Sequence, residues 1–379
     1  MPQIKPEVET FARIKVVGVG GSGKNALNHM INSKIKGIDF IAVNTDAQDL
    51  HHSLAKKRIH IGKNLTKGLG AGMNPEIGKR AAEETKEEIQ EAIKGADMVF
   101  IAGGEGGGTG TGAAPVVAKT AKELGVLTIA VVTKPFSFEG PQRMKLAEAG
   151  IEELRKSVDA IIIVPNDKLL SAISKETPAH LAFTMCDEIL KQAVEGISDL
   201  ITTPGTIGNI DFADIRAVLE NAGSALMGIG TASGEKRAEE AAKAAINSPL
   251  IDLSIHGAKG VLFSIAGRDD LTMFEIQDAA KIVTESVDPN AKIIFGTVND
   301  EKLKKGEVKV TVVAAGFPEQ NQKKSLFEST PVTQDKGRIF NSMPTREEQV
   351  VEQTIDNTEA PDEDDWSAVP AFLRRSKLK

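Results

Sequence analysis

The chain has 379 residues, a formal net charge of −7 and a single cysteine, Cys186. This length predicts two domains with room for a tail, the acidic balance excludes a basic field for binding nucleic acid, and one cysteine excludes a disulfide framework or a multi-cysteine zinc site. With 14 Phe, one Trp and no Tyr in the whole chain, the core falls to Val, Ile, Ala and Leu, which suits α/β packing better than a β-sandwich.

The first residues, 1–12, show no apolar core of a secretory leader, and no apolar run is long enough to span a bilayer. A flexible N-terminus, a cytoplasmic location and no direct membrane insertion are expected. From Arg13 onward short apolar runs alternate with amphipathic stretches. The runs predict strands over Ile14–Gly18, Phe40–Val43, Asp97–Ala102, Leu127–Val132 and Ala160–Val164. Between them, 3.6-residue periodicity predicts helices over Gly23–Ile31, Pro75–Lys94, Thr111–Leu124 and Pro141–Lys156. Asn74-Pro75 reads as a helix cap followed by proline at the first helical position. The adjacent His51 and His52 lie in a polar stretch and read as solvated. Such alternation predicts a parallel, doubly wound sheet with ligands outside the carboxyl ends of the strands.

Pro178–Thr202 is the longest helical pattern. Its apolar residues (Leu181, Phe183, Cys186, Leu190, Val194 and Ile197 among them) occupy more than one face, so it reads as a buried helix between two domains. Helices over Asp211–Asn221 and Glu235–Asn247 follow, with apolar runs at Ala225–Ile229, Gly260–Ile265, Ile293–Gly296 and Val308–Ala315, which make a second, smaller α/β domain. Past Phe317 the chain turns polar and reads as a disordered linker. An acidic cluster at Asp362–Asp365 ends it, and Trp366-Ser-Ala-Val-Pro-Ala-Phe-Leu-Arg-Arg has the form of a docking peptide. The domains expected are residues 13–177, the helix 178–202, 203–317, the linker 318–361 and the terminal peptide 362–379.

Two glycine loops hold the chemistry. Gly18-Val19-Gly20-Gly21-Ser22-Gly23 matches the dinucleotide fingerprint, with Asp46 at the distance of a ribose contact. It also nearly matches the P-loop, through Gly23-Lys24, but Asn25 stands where a magnesium-binding Ser or Thr belongs. This stretch leaves an NAD-dependent oxidoreductase and a nucleoside triphosphatase both open. Gly106-Gly107-Gly108-Thr109-Gly110-Thr111-Gly112 adds a second anion-binding loop, because so many glycines exclude a helix or strand interior and free N–H groups before a helix attract phosphate. Gly68-Leu69-Gly70-Ala71-Gly72 supplies a third. A dinucleotide needs one pyrophosphate loop; several loops suit a triphosphate.

GGGTGTG resembles the tubulin signature, and Ala102-Gly103-Gly104-Glu105 before it with Ala113-Ala114-Pro115 after it is similar to the FtsZ family, bacterial tubulin-like cell-division GTPases. The similarity extends through Asn44-Thr45-Asp46-Ala47, Thr133-Lys134-Pro135-Phe136, Phe138-Glu139-Gly140, Val164-Pro165-Asn166-Asp167 and Asn209-Ile210-Asp211-Phe212-Ala213-Asp214. Ser22 and Lys24 depart from the family's more uniform glycine run. The resemblance implies a Rossmann-like GTP-binding domain, a long central helix and a smaller C-terminal α/β domain. It implies phosphate contacts from Gly21, Ser22, Gly23, Lys24 and Asn25 and from Gly107, Gly108, Thr109 and Gly110, with Ala71 and Gly72 at the γ-phosphate. It places Glu139 and Arg143 at the ribose and phosphates, and Asn166, Asp187 and Phe183 at the guanine.

The same resemblance makes Asp211 and Asp214 catalytic, supported by Asn209, with Mg²⁺ held mainly by phosphates and water and no protein metal site. From Asp187 a helix through Thr202 runs roughly 22 Å at 1.5 Å per residue, so Asp211 is far from its own nucleotide and reaches one on another subunit. That contact is head-to-tail and builds a filament. The family further implies a division ring at midcell, and membrane-tethering and regulatory division proteins as partners of Trp366, Val369, Pro370, Phe372, Leu373, Arg374 and Arg375. A nucleotide-binding scaffold that polymerises without hydrolysis is the remaining alternative, against which both aspartates argue.

Overall fold

The computed structural model describes residues 12–170, 176–203, 210–248, 255–300 and 302–317. In chain order the N-terminal part runs β1 (Ile14–Val19), α1 (Gly20–Asn32), β2 (Ile38–Asn44), α2 (Ala47–His51), β3 (Lys57–His60), α3 (Lys63–Thr66), α4 (Pro75–Glu84), α5 (Lys86–Ile93) and β4 (Met98–Gly104). Then come α6 (Thr109–Glu123), β5 (Leu127–Lys134), α7 (Pro141–Arg155), β6 (Ala160–Pro165), α8 (Asn166–Leu170) and α9 (Ala179–Thr202). The rest holds α10 (Phe212–Leu219), β7 (Gly223–Ser233), α11 (Arg237–Ile246), β8 (Gly260–Gly267), α12 (Met273–Glu285), β9 (Lys292–Asn299) and β10 (Glu307–Ala315).

The first six strands are parallel in the order β3-β2-β1-β4-β5-β6, the doubly wound arrangement. Both faces are covered, so the central strands β4, β5 and β6 are largely apolar rather than alternating. In β4, Met98, Phe100 and Ala102 enter one core with α1 and α9, while Val99 and Ile101 enter the other with α4, α5, α6 and α7. The order reverses between β1 and β4. Crevices at such a reversal, beyond the strands' carboxyl ends, bind ligands.

The later strands do not form a sheet of their own. They extend the first to ten strands through a short parallel pairing, Ala160–Ile162 of β6 with Gly223–Ala225 of β7. Beyond it β10 is antiparallel to β7 and β8, and β9 is parallel to β8. These strands still have a separate core with α11 and α12, around Phe263, Ile265, Ile276, Val283 and Val310.

Several element expectations shift. One expected helix over Pro75–Lys94 is two, interrupted at Thr85. Edge strand β3 (Lys-Arg-Ile-His) was not expected: only Ile59 is buried, so it has no apolar run to read. Helix α9 is buried or half-buried from Met185 onward, as its apolar circumference predicts, but Leu181 and Phe183 in its first turns are exposed. It packs on α1 and β5 on one side, and Glu195 meets Lys302, just after β9, at 2.9 Å on the other.

Candidate functional site

The reversal between β1 and β4 is where the two glycine loops come together. Each is shorter than its glycine content suggests. Helix α1 begins at Gly20 and α6 at Thr109, so Gly20–Gly23 and Thr109–Gly112 are first helical turns, not free loops. The glycines are there because backbones touch. Gly20 has φ +73°, and a Cβ on it would lie 3.0 Å from the Gly110 nitrogen; one on Gly108 would lie 2.8 Å from the Asn74 nitrogen and 2.9 Å from the Ala71 Cβ. The three glycine stretches therefore form one surface. Gly72 and Gly107 face open space, with no atom within 4 Å of where a Cβ would stand. Two helix N-termini with unused N–H groups converge there, a ready anion site.

The hydroxyls of Thr45 and Thr109 hydrogen-bond at 2.6 Å, tying the end of β2 to the second loop. Asp46, the ribose-contact candidate of the dinucleotide reading, is occupied otherwise. Its Oδ1 accepts from the Gln48 and Asp49 N–H groups and caps α2. Lys24 is nearly buried, and its Nζ is 2.6 Å from Asp49 Oδ1, while Asp49 Oδ2 accepts from Asn44 Nδ2 at 2.8 Å. A cation in a helix's first turns opposes the macrodipole, and Asp49 offsets it. Asn44, Thr45 and Asp49 were missed as site residues. The first two sit in a recognisable motif, whereas Asp49 has no signal apart from its contact with Lys24.

Along β5, β6 and α9 the surroundings of the glycine surface change character. Arg143 meets Glu139 at 3.1 Å, and its Nε is buried without a hydrogen-bond partner. Glu139 Oε1 also accepts from the Phe136 N–H at 2.9 Å, fixing the turn before α7. Asn166 is buried and its Oδ1 has no partner. Phe183 packs edge-on against Phe136, which stacks on the exposed Phe138. Burial pushes the Asp187 carboxyl up to about 6, with His29 and Lys24 pulling it back. Arg143, Asn166, Asp187 and Phe183 thus supply an unsatisfied donor, an unsatisfied acceptor, a carboxylate and an aromatic face.

Asp211 and Asp214 stand elsewhere, at the start of α10. They form a capping box there: Asp211 Oδ1 accepts from the Asp214 N–H at 2.8 Å, and Asp214 Oδ2 from the Asp211 N–H at 3.4 Å. The pair lies beyond Thr202, the far end of α9 from Asp187. Asn209 and the peptide around Trp366 fall outside the described residues. Among the described residues no three His, Cys, Asp or Glu side chains converge to hold a metal ion, and no helix is long and apolar enough to cross a membrane. His51 and His52 are exposed.

Residues 13–174 match the GTPase domain of the Tubulin/FtsZ family, and residues 223–318 match the C-terminal domain of the FtsZ family. Among solved structures, an empty FtsZ dimer from M. jannaschii is 49% identical, with TM-score 0.77 over 81% of this chain and 89% of that one. A single-substitution mutant of M. jannaschii FtsZ is likewise 49% identical, with TM-score 0.77 over 82% of this chain and 92% of that one. CetZ2 from Haloferax volcanii, solved as a GTPγS-bound protofilament, shares the fold at 21% identity, with TM-score 0.69 over 83% of this chain and 98% of that one.

Proposed function

The chain belongs to the Tubulin/FtsZ family of GTPases, and on that premise we propose that it hydrolyses GTP at a site shared by two copies of itself stacked head to tail. In this reading Gly21, Ser22, Gly23 and Asn25 with Gly107, Gly108, Thr109 and Gly110 hold the phosphates, and Ala71 and Gly72 approach the γ-phosphate. Lys24 stays with Asp49 and contributes its charge nearby. Glu139 and Arg143 serve the ribose and phosphates. Asn166 and Asp187 accept from the guanine edge, and Phe183 packs on the base. Magnesium would be held mainly by the phosphates and water, and would supply charge neutralisation for the triphosphate. The carboxylates of Asp211 and Asp214, from the next copy, orient the attacking water and accept its proton, giving GDP and phosphate.

The separation along α9 carries this reading. Asp187 and Thr202 are fixed in one uninterrupted helix, roughly 22 Å apart, and α10, which Asp211 and Asp214 open, runs into Gly223, whose N–H bonds the Asp159 carbonyl at the amino end of β6, opposite the strand ends where the glycine stretches meet. Exposed apolar residues support a contact at each end. Leu69 and Phe138 are exposed beside the nucleotide pocket, and Met273 and Phe274 are exposed at the start of α12. The latter end is placed by Asn299, which donates to Asp269 at 3.2 Å and lines a cleft with Thr202. We further propose that the filaments form a division ring, and that the segment from Trp366 to Arg375 docks on membrane-tethering and regulatory division proteins.

Phosphate release from GTP, measured against protein concentration, tests the shared site. A threshold concentration is expected, below which turnover vanishes although GTP is bound. Turnover strictly proportional to concentration would overturn the shared site, and NAD binding without GTP binding would overturn the whole reading.

The base contact predicts an acidic limit. Asp187 accepts from guanine only when ionised, so affinity for GTP falls as pH drops below about 6, by up to about tenfold per pH unit. Filter binding from pH 7 to 5 checks this; an Asp187→Asn variant binds weakly throughout and shows no such limb.

A further inference from the structure

Glu105 stands between β4 and the signature glycines. Its side chain is buried, and Oε2 has neither solvent nor a hydrogen-bond partner. The Thr111 side chain is the polar group beside it and pulls the carboxyl down against burial. Thr111 Oγ1 in turn accepts from the Gly106 N–H at 2.8 Å, closing the signature loop on itself. Helix α7 seals the group: a Cβ on Gly150 would lie 2.7 Å from Glu105 Oε2 and 2.2 Å from the Thr111 methyl. From β5 the contact is a backbone one, Glu105 N–H to the Thr133 carbonyl at 3.0 Å.

Among the described residues no cation answers this carboxyl. Arg143 of α7 packs its stem against Gly106, but its guanidinium meets Glu139. Lys79 of α4 approaches the loop at Gly112 through its backbone nitrogen. Burial raises the Glu105 carboxyl to about 7, the Thr111 hydroxyl opposes this, and no charged group contributes. The fold keeps a proton that the unfolded chain releases above about 4.5, so stability is lost as pH rises toward 7.

We propose that Glu105 is a positioning residue for the phosphate-binding loop that works only in its protonated form, so that phosphate binding and protonation of Glu105 reinforce each other. In either form it stands beside the Thr111 hydroxyl, and Thr111 holds Gly106, but only the neutral form does so without a charge. As a carboxylate it places a negative charge in a dry site directly under the N–H groups and helix terminus that face the phosphates, cancelling part of their field. By linkage, bound phosphate makes that carboxylate harder to form, so nucleotide binding takes up a proton. This inference rests on the reading of Gly107–Gly110 as phosphate ligands.

Calorimetric titration with GDP tests it, using the full chain in two buffers of different ionisation enthalpy between pH 6 and 8.5. The nucleotide's own phosphate also titrates near this range, so the quantity read is the difference between wild type and Glu105→Gln. Wild type is expected to take up as much as about one extra proton per site above pH 7, with affinity falling up to about tenfold per pH unit. Glu105→Gln keeps an acceptor for Thr111 and loses both the uptake and the alkaline fall. Identical profiles in the two proteins would overturn the proposal. Should the variant not fold, the infrared band of a protonated carboxyl in the wild type decides. It must fade as pH passes about 7 and persist to higher pH with GDP bound; a band unaffected by GDP overturns the proposal. Wild type that binds no GDP at any pH overturns the phosphate site beneath it instead.

Discussion

Replacing Asp214 with Asn is expected to lower GTP turnover by about 10²–10⁴-fold, the usual share of a positioned acid–base group, while GTP binding and the fold stay intact. The capping box makes this substitution cleaner than alanine. Asp214 accepts from the Asp211 N–H, and Asp211 accepts from the Asp214 N–H. An asparagine oxygen can serve both bonds, and Asn caps about as well as Asp. Alanine at Asp211 removes the cap as well, which costs about 0.5–2 kcal/mol. Denaturant titration should therefore show Asp211→Ala destabilised and both Asn variants close to wild type. Phosphate release should fall in all of them. If Asp214→Asn and Asp211→Asn keep full turnover, these aspartates are helix caps and nothing more.

That double reading was already present in the sequence, since acids spaced three apart at a helix start suit capping and catalysis equally. The parts legible beforehand were those encoded by local pattern. The apolar runs of β1, β4 and β5 and the paired glycine loops pointed to a parallel sheet with anion-binding loops at the carboxyl ends of its strands, and the meeting of those loops at the reversal between β1 and β4 is visible only in the fold. What pattern could not convey is contact between distant segments. The Lys24–Asp49 pair and the orphaned oxygen of Glu105 exist only because β1, β2, β4 and α7 meet there. Asp46 shows the converse error: a spacing suited to ribose is spent on capping α2. The glycines misled as well. Their entropy cost argued against helix, yet Gly110 and Gly112 lie in the first turn of α6, because close approach of neighbouring backbones outweighs roughly 1 kcal/mol of propensity per glycine. Strand β3, at the sheet edge with one buried residue, had no periodic signal to offer.

Mixing two inactive proteins should restore hydrolysis, and this outcome separates a shared site from a self-contained one. Gly108→Ala places a methyl group 2.8 Å from the Asn74 nitrogen and 2.9 Å from the Ala71 Cβ, displacing the loop that faces the phosphates, so nucleotide binding is lost. Asp214→Asn keeps the loops and loses the attacking end. In a head-to-tail stack each junction joins the pocket of one copy to the α10 end of the next. In an equal, random mixture about one junction in four joins an intact pocket to an intact Asp214, so turnover returns to about a quarter of wild type. That junction needs nucleotide only on the Asp214→Asn copy, and the Gly108→Ala copy docks onto it with its unaltered α12 and α10 surface. If each copy hydrolysed alone, the mixture would be as dead as its parts, because neither protein holds a whole site.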